Sequence, residues 1–154
     1  MGWLMIAATL AAAADAPLQP VPFSHRIHTG AGQLTCAACH TNPDPGVTEG
    51  IPQAAACMQC HATVKPESAA IRKLAGYAKK RRNIPWVRVY AIPDFVLFSH
   101  RQHVTAGATC EDCHGGVTAS DQVSLAPDFT MVKCVACHNR ANIRNACGVC
   151  HDLK

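Results

Sequence analysis

The sequence predicts a fold that is mostly coil, with a few short α-helices and little or no β-sheet, around a core that side chains alone do not fill. Three observations support this. The chain has 154 residues, a length typical of one domain, but only two Trp, two Tyr and four Phe. Its ten Gly and ten Pro favour turns and loops. Its ten Cys are more than an ordinary cytosolic fold contains.

Residues 2–14 are uncharged, mostly apolar and end in four alanines, which is typical of a secretory signal peptide (residues 1–14). We predict cleavage after Ala14, which leaves a single mature domain of residues 15–154 in the periplasm or at another exported location. The alternative is a short Ala-rich helix that stays on the protein. No run of 18 apolar residues occurs, so we expect the chain to have no transmembrane helix of its own.

All ten cysteines occur in five Cys-x-x-Cys pairs, and a His follows each pair directly. The pairs are Cys36 and Cys39, Cys57 and Cys60, Cys110 and Cys113, Cys134 and Cys137, and Cys147 and Cys150, followed by His40, His61, His114, His138 and His151. Cys-x-x-Cys-His is the attachment motif of c-type haem. Two thiols add to the vinyl groups of one porphyrin edge, and the adjacent imidazole binds the iron as proximal ligand. The motifs predict five haem c groups.

Zinc and disulfide bonds are the other common uses of paired cysteines. Cys36/Cys39 and Cys57/Cys60 have the spacing of a zinc ribbon. However, zinc does not require a His after every pair, and five pairs do not divide into four-Cys sites. A disulfide scaffold leaves the five histidines equally unexplained. Five porphyrins would also supply the apolar interior that eight aromatic residues cannot, so we predict a multihaem cytochrome c fold.

The remaining four histidines lie in two copies of one phrase, Phe-Ser-His-Arg-x-His, which supplies His25 and His28 and then His100 and His103. Two attachment motifs follow each copy, which defines repeat units of about residues 21–61 and 96–138. A fifth motif is appended in residues 139–154. Histidines three apart share one helical face and can reach two haems. We predict that all four are distal ligands, since surface histidines would not be paired and repeated.

In the linker, residues 62–95, the sequence predicts a helix from Pro66 to about Lys80, with Pro in its first turn. Ile71, Leu74, Ala75 and Ala78 would form an apolar stripe along it. Trp86–Tyr90 has the pattern of a short extended segment. The basic run of residues 79–82 is either a solvated helix end or a contact for haem propionates or an acidic partner. Because ten propionates outweigh the net charge of +4, the basic composition does not indicate nucleic-acid binding.

The repeated phrase resembles the class III multihaem cytochromes c, small proteins with bis-His haems and little regular structure. That resemblance implies that the first His of a pair serves the next attachment site and the second His serves a later one. His25 would then serve Cys36/Cys39, and His28 would serve Cys57/Cys60. Likewise His100 would serve Cys110/Cys113, and His103 would serve Cys134/Cys137.

A closer likeness lies in the linker and its flanks. The stretches Ile84–Tyr90 and Pro93–His100, with Ile51-Pro52 and Cys57–His61, and Met131 before Cys134, are similar to the pentahaem cytochrome subunit of alternative complex III and to stand-alone pentahaem cytochromes. That complex passes electrons from quinol towards periplasmic acceptors. A His often stands in that subunit where this chain has Tyr90.

Nine histidines cannot supply ten axial ligands, so one iron has another sixth ligand or none. If each repeat unit is self-sufficient, this iron is the one at His151. Met131 is the preferred candidate, since thioether ligation is common in cytochromes and raises the potential. Met58 lies inside its own attachment loop and has less reach. Tyr90, a Lys or an open position are the other possibilities, and Met131 could instead fill the core.

These observations predict electron transfer along a chain of haems between a redox donor and an acceptor protein, without catalysis. Two alternatives stay open. One is a reductase that uses an open position at the fifth haem, and the other is a fixed subunit of a membrane quinol-oxidising complex.

Overall fold

Short helical turns joined by coil make up the fold of the computed structural model, which describes residues 16–42, 46, 50–126 and 129–152. The predicted signal peptide lies outside these residues. The α-helices are α1 (Ala54–His61), α2 (Ala69–Lys79), α3 (His100–Thr105), α4 (Cys110–His114), α5 (Met131–Arg140) and α6 (Cys147–Cys150). A π-helical turn (Arg26–Ala31) and two 3-10 turns (Cys36–Ala38 and Val117–Ala119) complete them. The predicted fold class, mostly coil with short helices, is confirmed.

Local sequence explains why two of these helices begin where they do. The Thr109 hydroxyl accepts a hydrogen bond from the Asp112 N–H, and the Asp112 carboxylate accepts one from the Thr109 N–H, so the two residues form a capping box. This box makes Thr109 the N-cap residue, so α4 begins at the next residue, Cys110. The Ser99 hydroxyl similarly accepts from the Gln102 N–H and begins α3 at His100. Capping therefore sets the start of a helix at a predicted haem ligand or attachment cysteine.

The linker helix is shorter than its sequence predicts. It begins at Ala69, after Ser68, and not at Pro66. Lys65 has a left-handed backbone with φ 52°, and the Ser68 N–H donates to the Lys65 carbonyl, so a turn occupies the predicted first helical turn. The predicted apolar stripe does face inward, because Leu74 is buried and Ile71, Ala75 and Ala78 are half-buried.

The buried apolar core of the described residues is small and lies in the first half of the chain. Val21, Ala54, Leu74 and Ile84 form it, each no more than 4% exposed. The helix α2 packs on α1 there, and the Gln53 side chain accepts a hydrogen bond from the Ile84 N–H at 2.7 Å. Ordering a chain costs backbone entropy that burial must offset, so this core is too small for the length. The second repeat unit has no buried residue in its described part.

The fifth attachment motif folds back onto the start of the second repeat unit. Val96 and His151 form an antiparallel bridge. The Leu97 N–H donates to the Cys150 carbonyl at 2.7 Å, and the Asp152 N–H donates to the Phe95 carbonyl at 2.9 Å. The last attachment site is thereby held beside the segment that leads into α3.

Candidate functional site

The two copies of the repeated phrase have the same side-chain geometry. Phe23 stacks on His28 with ring centroids 4.4 Å apart, and Phe98 stacks on His103 at 4.6 Å. The same two phenylalanines meet the first His of each pair edge-on, both at 4.8 Å. The phrase adopts this arrangement although one copy forms a π-helical turn and the other forms α3. Each Phe therefore fixes both imidazoles of its phrase, a role that its place in the repeat could have indicated.

Three of the four predicted ligand pairs face each other in the structure. Their ring centroids are 6.0 Å apart for His28 and His61, 6.3 Å for His100 and His114, and 6.1 Å for His103 and His138. Two imidazoles bound to one metal through nitrogens at about 2.0 Å would have centroids about 6.2 Å apart, because each ring centre lies about 1.1 Å behind its nitrogen. The spacing fits a metal ion between the rings.

In the fourth predicted pair, His25 and His40, the charge of His40 affects the pKa of His25. Burial, followed by the charges of His40 and His28, lowers the pKa of His25. The neutral imidazole that results is the form that binds metal. The Nδ1 atom of His25 is buried without a hydrogen-bond partner, and the same holds for His151. These two imidazoles lack the backbone hydrogen bond at Nδ1 that orients five of the others.

Backbone carbonyls orient most of the imidazoles. The Nδ1–H groups of His28 and His103 donate to the carbonyls of Ser24 and Ser99, four residues earlier, both at 2.8 Å. His40 bonds in the same way to the Gly50 carbonyl at 2.7 Å. A hydrogen bond at Nδ1 fixes the tautomer with a free Nε2, as is usual for metal-binding histidines. His61 and His100 are held similarly by Val64 and Gly46, both at 3.0 Å.

Every attachment motif begins on a helical turn, but the second cysteines are not all placed alike. Cys137 lies inside α5, and its carbonyl accepts a hydrogen bond from the Ala141 N–H at 3.0 Å. Cys39 differs, because its 3-10 turn ends at Ala38 and Cys39 follows as the C-cap residue. The Cys39 N–H still donates to the Cys36 carbonyl at 3.2 Å, which closes the turn. Both arrangements keep the two cysteines of a motif one turn apart.

The thiols of neighbouring motifs influence one another. Burial, and then the charge of Cys39, raises the pKa of the Cys57 thiol. Burial likewise raises the pKa of the Cys113 thiol, and Cys134 and Cys137 are among the smaller causes that act in the same direction. The two attachment motifs of each repeat unit therefore lie near each other.

None of the ten cysteines forms a disulfide bond in the structure. Within the described ranges, no three His, Cys, Asp or Glu side chains converge on a point that could hold a metal ion. Cys39 and Cys137, like the other eight cysteines, are thus available to a porphyrin, and haem attachment at each of them stays a prediction.

Tyr90 supports the third site along the chain, which consists of Cys110, Cys113 and His114. Its ring meets His114 edge-on at 4.5 Å and Phe129 at 4.9 Å. Its hydroxyl accepts a hydrogen bond from the Ala126 N–H at 3.0 Å and lies 3.3 Å from the His114 carbonyl. Burial, and then the charges of His100 and His40, lower the pKa of His114. Residue type alone made Tyr90 a candidate sixth ligand, whereas the structure uses its hydroxyl to tie backbone segments around His114.

The fifth site differs from the other four. The ring that the structure brings against His151 is that of Phe95, with centroids 5.8 Å apart and planes inclined by 34°. Met131 begins α5 and is 65% exposed. It lines a shallow apolar hollow on that helix, together with Val132, Val135, Ala136 and Asn139. The sixth ligand at His151 therefore stays a prediction.

The basic run of the linker lies on the exposed end of α2 and just beyond it. Residues 79–82 are all exposed, and none has an acidic partner in the described part of the chain. Among the described residues, no helix is long and apolar enough to cross a bilayer.

Known proteins match the chain along most of its length. Residues 5–84 match the class III cytochrome c family, and residues 96–152 match cytochrome c7 and related cytochromes c. The multiheme cytochrome c subunit of a menaquinone reductase from Nitratidesulfovibrio vulgaris is 31% identical over 162 residues, covering 86% of this chain and 76% of that protein. These matches agree with the repeated attachment motifs and their facing histidines: the chain belongs to the class III multihaem cytochromes c, which bind haem iron and transport electrons.

Proposed function

We propose that the chain is an exported pentahaem cytochrome c that transfers electrons between a redox donor and an acceptor protein. The observation that carries this proposal is the facing of three imidazole pairs at 6.0–6.3 Å, each beside its own Cys-x-x-Cys motif. With His25 and His40 as the fourth pair, four irons would be bis-His and six-coordinate. Haem iron supplies one-electron chemistry when it is bound.

The residues of the chain have separate tasks in this proposal. The ten cysteines anchor the porphyrins, and the histidine after each pair supplies the proximal ligand. Phe23 and Phe98 hold the distal imidazoles by stacking, and backbone carbonyls fix their tautomers. Ligands held this firmly would move little when the iron changes between the ferric and the ferrous state. Little structural change accompanies each electron, which favours transfer over catalysis.

The test of haem number is the intact mass of the mature protein. We expect it to exceed the peptide mass from residue 15 onwards by five haems, with no free thiols and no zinc. This result also checks cleavage after Ala14. Four or fewer haems on fully matured protein would contradict the proposal.

The test of distal ligation is the pair of variants His103→Ala and Gln102→Ala. We expect His103→Ala to convert one low-spin haem to high-spin in the ferric EPR spectrum and to raise its potential. Gln102 is exposed and lies beside His103 on α3, so its variant should keep all haems as they are in the wild type. An unchanged spectrum in His103→Ala would show that this histidine is not a ligand.

The iron at His151 lacks a second imidazole, because the other eight histidines form the four proposed pairs. We propose Met131 as its sixth ligand, which would make this iron the highest in potential. We expect a red charge-transfer band in the ferric protein that disappears in Met131→Leu. The alternative function, a reductase with an open position at this site, predicts a high-spin wild-type haem that binds carbon monoxide.

The charge distribution supports a partner that docks on the linker. Residues 62–95 contain eight of the fourteen Lys and Arg and two of the ten Asp and Glu, a net +6 against −2 for the rest of the peptide. The basic residues of α2, which are Arg72, Lys73 and Lys79, are exposed on the sides of the helix away from its apolar stripe. That stripe packs on α1, the helix that carries Cys57 and Cys60. We propose that an acidic redox partner docks here, so its electron exchange should slow with added salt.

A fixed place in a membrane complex is the second candidate for the partner, because the matched relative is named as a subunit of a menaquinone reductase. Fractionation of cells that express the full chain distinguishes the two. Release of the cytochrome with the periplasmic contents supports a mobile carrier. Co-purification with membrane subunits through a salt wash supports the fixed subunit.

A further inference from the structure

The two repeat units exchange hydrogen bonds between the same two segments, with donors one position apart in the phrase, since His100 corresponds to His25 and Arg26 to Arg101. The His100 N–H and Nδ1–H both donate to the Gly46 carbonyl, at 2.9 and 3.0 Å. In the opposite direction, the Arg26 N–H donates to the Ser120 carbonyl at 3.0 Å. Gly46 lies six residues after His40, and Ser120 lies six residues after His114. The same two places in the repeat, the distal-His phrase and the loop after the first attachment motif, therefore meet twice.

Side chains strengthen the contact made by the first phrase. Asp121 accepts hydrogen bonds from the Ser24 hydroxyl at 2.6 Å and from the Arg26 guanidinium at 2.5 Å. The Thr29 hydroxyl lies 2.9 Å from the Thr118 carbonyl. The phrase of the first unit is thus held at three residues of the loop that follows His114, namely Thr118, Ser120 and Asp121, so the contact does not depend on one isolated bond.

When segment A of one unit meets segment B of the other, and segment B of the first unit meets segment A of the second, the contact has the pattern of a twofold axis. We infer that the two repeat units pack about a local twofold axis through their first attachment sites, with His40 and His114 on facing sides. This inference rests on the proposed function for its meaning, because it places the cofactors of Cys36/Cys39 and Cys110/Cys113 next to each other. Electrons then pass between the units at this junction.

One further feature of the structure agrees with the axis. The Phe–His geometries of the two phrases match within 0.2 Å and 2°, so the two units present the same local structure on either side of it.

The fifth attachment motif lies away from this axis. When the two phrases are aligned, Val96 corresponds to Val21. Val21 is buried in the core beside α1 and α2, whereas Val96 pairs with His151. The linker, through Leu74 of α2 and Ile84, covers this edge of the first unit, and the fifth motif covers the same edge of the second. The proposed path is therefore symmetrical at its centre and different at its two ends.

The test uses the fully reduced holoprotein, in which low-spin ferrous haems are diamagnetic and can be assigned by NMR. We expect direct NOE contacts between substituents of the haem on Cys36/Cys39 and those of the haem on Cys110/Cys113. We expect none between the haems on Cys57/Cys60 and Cys134/Cys137. Contacts between the latter two, or no contact between the former two, would overturn the inference.

A redox measurement provides a second, independent result. His100→Met should raise the potential of the third haem, so that it is reduced before the three remaining bis-His haems. Its added electron should then lower the potential of its nearest neighbour in the first unit. We expect the haem on Cys36/Cys39 to shift more than the haem on Cys57/Cys60, and an equal or reversed order would contradict the junction. Mass spectrometry separates the two failures, because fewer than five haems refutes the proposed function and five haems without this contact refute only the junction.

Discussion

The hydroxyl of Tyr90 offers a sharp test of how the third site is supported. It accepts a hydrogen bond from the Ala126 N–H at 3.0 Å, and it can donate to the carbonyl of His114 at 3.3 Å or of Ser124 at 3.4 Å. Tyr90→Phe keeps the ring that meets His114 and Phe129. The substitution therefore removes the hydroxyl and leaves the aromatic packing in place.

The expected loss follows from the bonds removed. One accepted and one donated hydrogen bond contribute about 0.5–1.5 kcal/mol each, so Tyr90→Phe should lower the free energy of unfolding by about 1–3 kcal/mol. Tyr77→Phe is the matched control, since Tyr77 packs half-buried on the core and the described part of the chain offers its hydroxyl no hydrogen-bond partner. Its loss should be below about 0.5 kcal/mol.

The assay is guanidinium unfolding of the two holoproteins, followed by far-UV circular dichroism and compared at their midpoints. Equal losses of unfolding free energy in Tyr90→Phe and Tyr77→Phe would refute the reasoning, because they would show that the hydrogen bonds of the Tyr90 hydroxyl do not stabilise the fold.

Three further predictions concern local structure and charge, and the same unfolding assay checks each. Gly76→Ala should stabilise the protein by about 0.5–1 kcal/mol, because a Cβ in the middle of α2 meets nothing within 4 Å, whereas Gly107→Ala, at φ +92°, should destabilise it. Thr109→Ala should cost about 1 kcal/mol through loss of the α4 capping box, and Thr109→Ser should recover most of it. The hydrogen bonds from Arg26 and Ser24 lower the pKa of Asp121 from its ordinary value of 3.8. The charged carboxylate therefore stabilises the fold above pH 3.8, and this stabilisation is lost as the pH falls through the lowered pKa. Asp121→Asn should be less stable than the wild type near neutral pH, and the difference in stability should shrink in acid.

The features closest to the covalent chemistry were predictable from the sequence. Cysteine spacing predicts the five attachment motifs, and the resemblance to class III cytochromes c implied which histidines face His61, His114 and His138 in the structure. These signals are local, because the reaction with a porphyrin dictates residue type and spacing. The scarcity of aromatic residues also predicted the small core that the structure has.

Long-range contacts through backbone atoms were not predictable. The carbonyls of Gly46 and Ser120 carry the contact between units, and a carbonyl has no signal in residue type. Asp121 is an ordinary surface acid in the sequence, and only the fold brings it to Arg26, 95 residues away. The start of α2 was predicted three residues early because Pro at a first turn is a statistical preference, which the turn at Lys65 overrides.

The covalent link between the units changes how strong their contact has to be. The interface holds a single ion pair among its described residues, Arg26–Asp121, and because this pair is exposed to solvent it contributes little to the strength of the contact. As separate proteins at micromolar concentration, two units with a dissociation constant of about 1 mM would hardly associate. A linker of the length of residues 62–95 keeps them at an effective concentration on the order of millimolar, which makes the same contact about half-formed before any haem is added. Further burial at the junction then needs to contribute only a few kcal/mol to close it, so substitutions on the contact surface should be tolerated far better in one chain than in a dimer of separated halves.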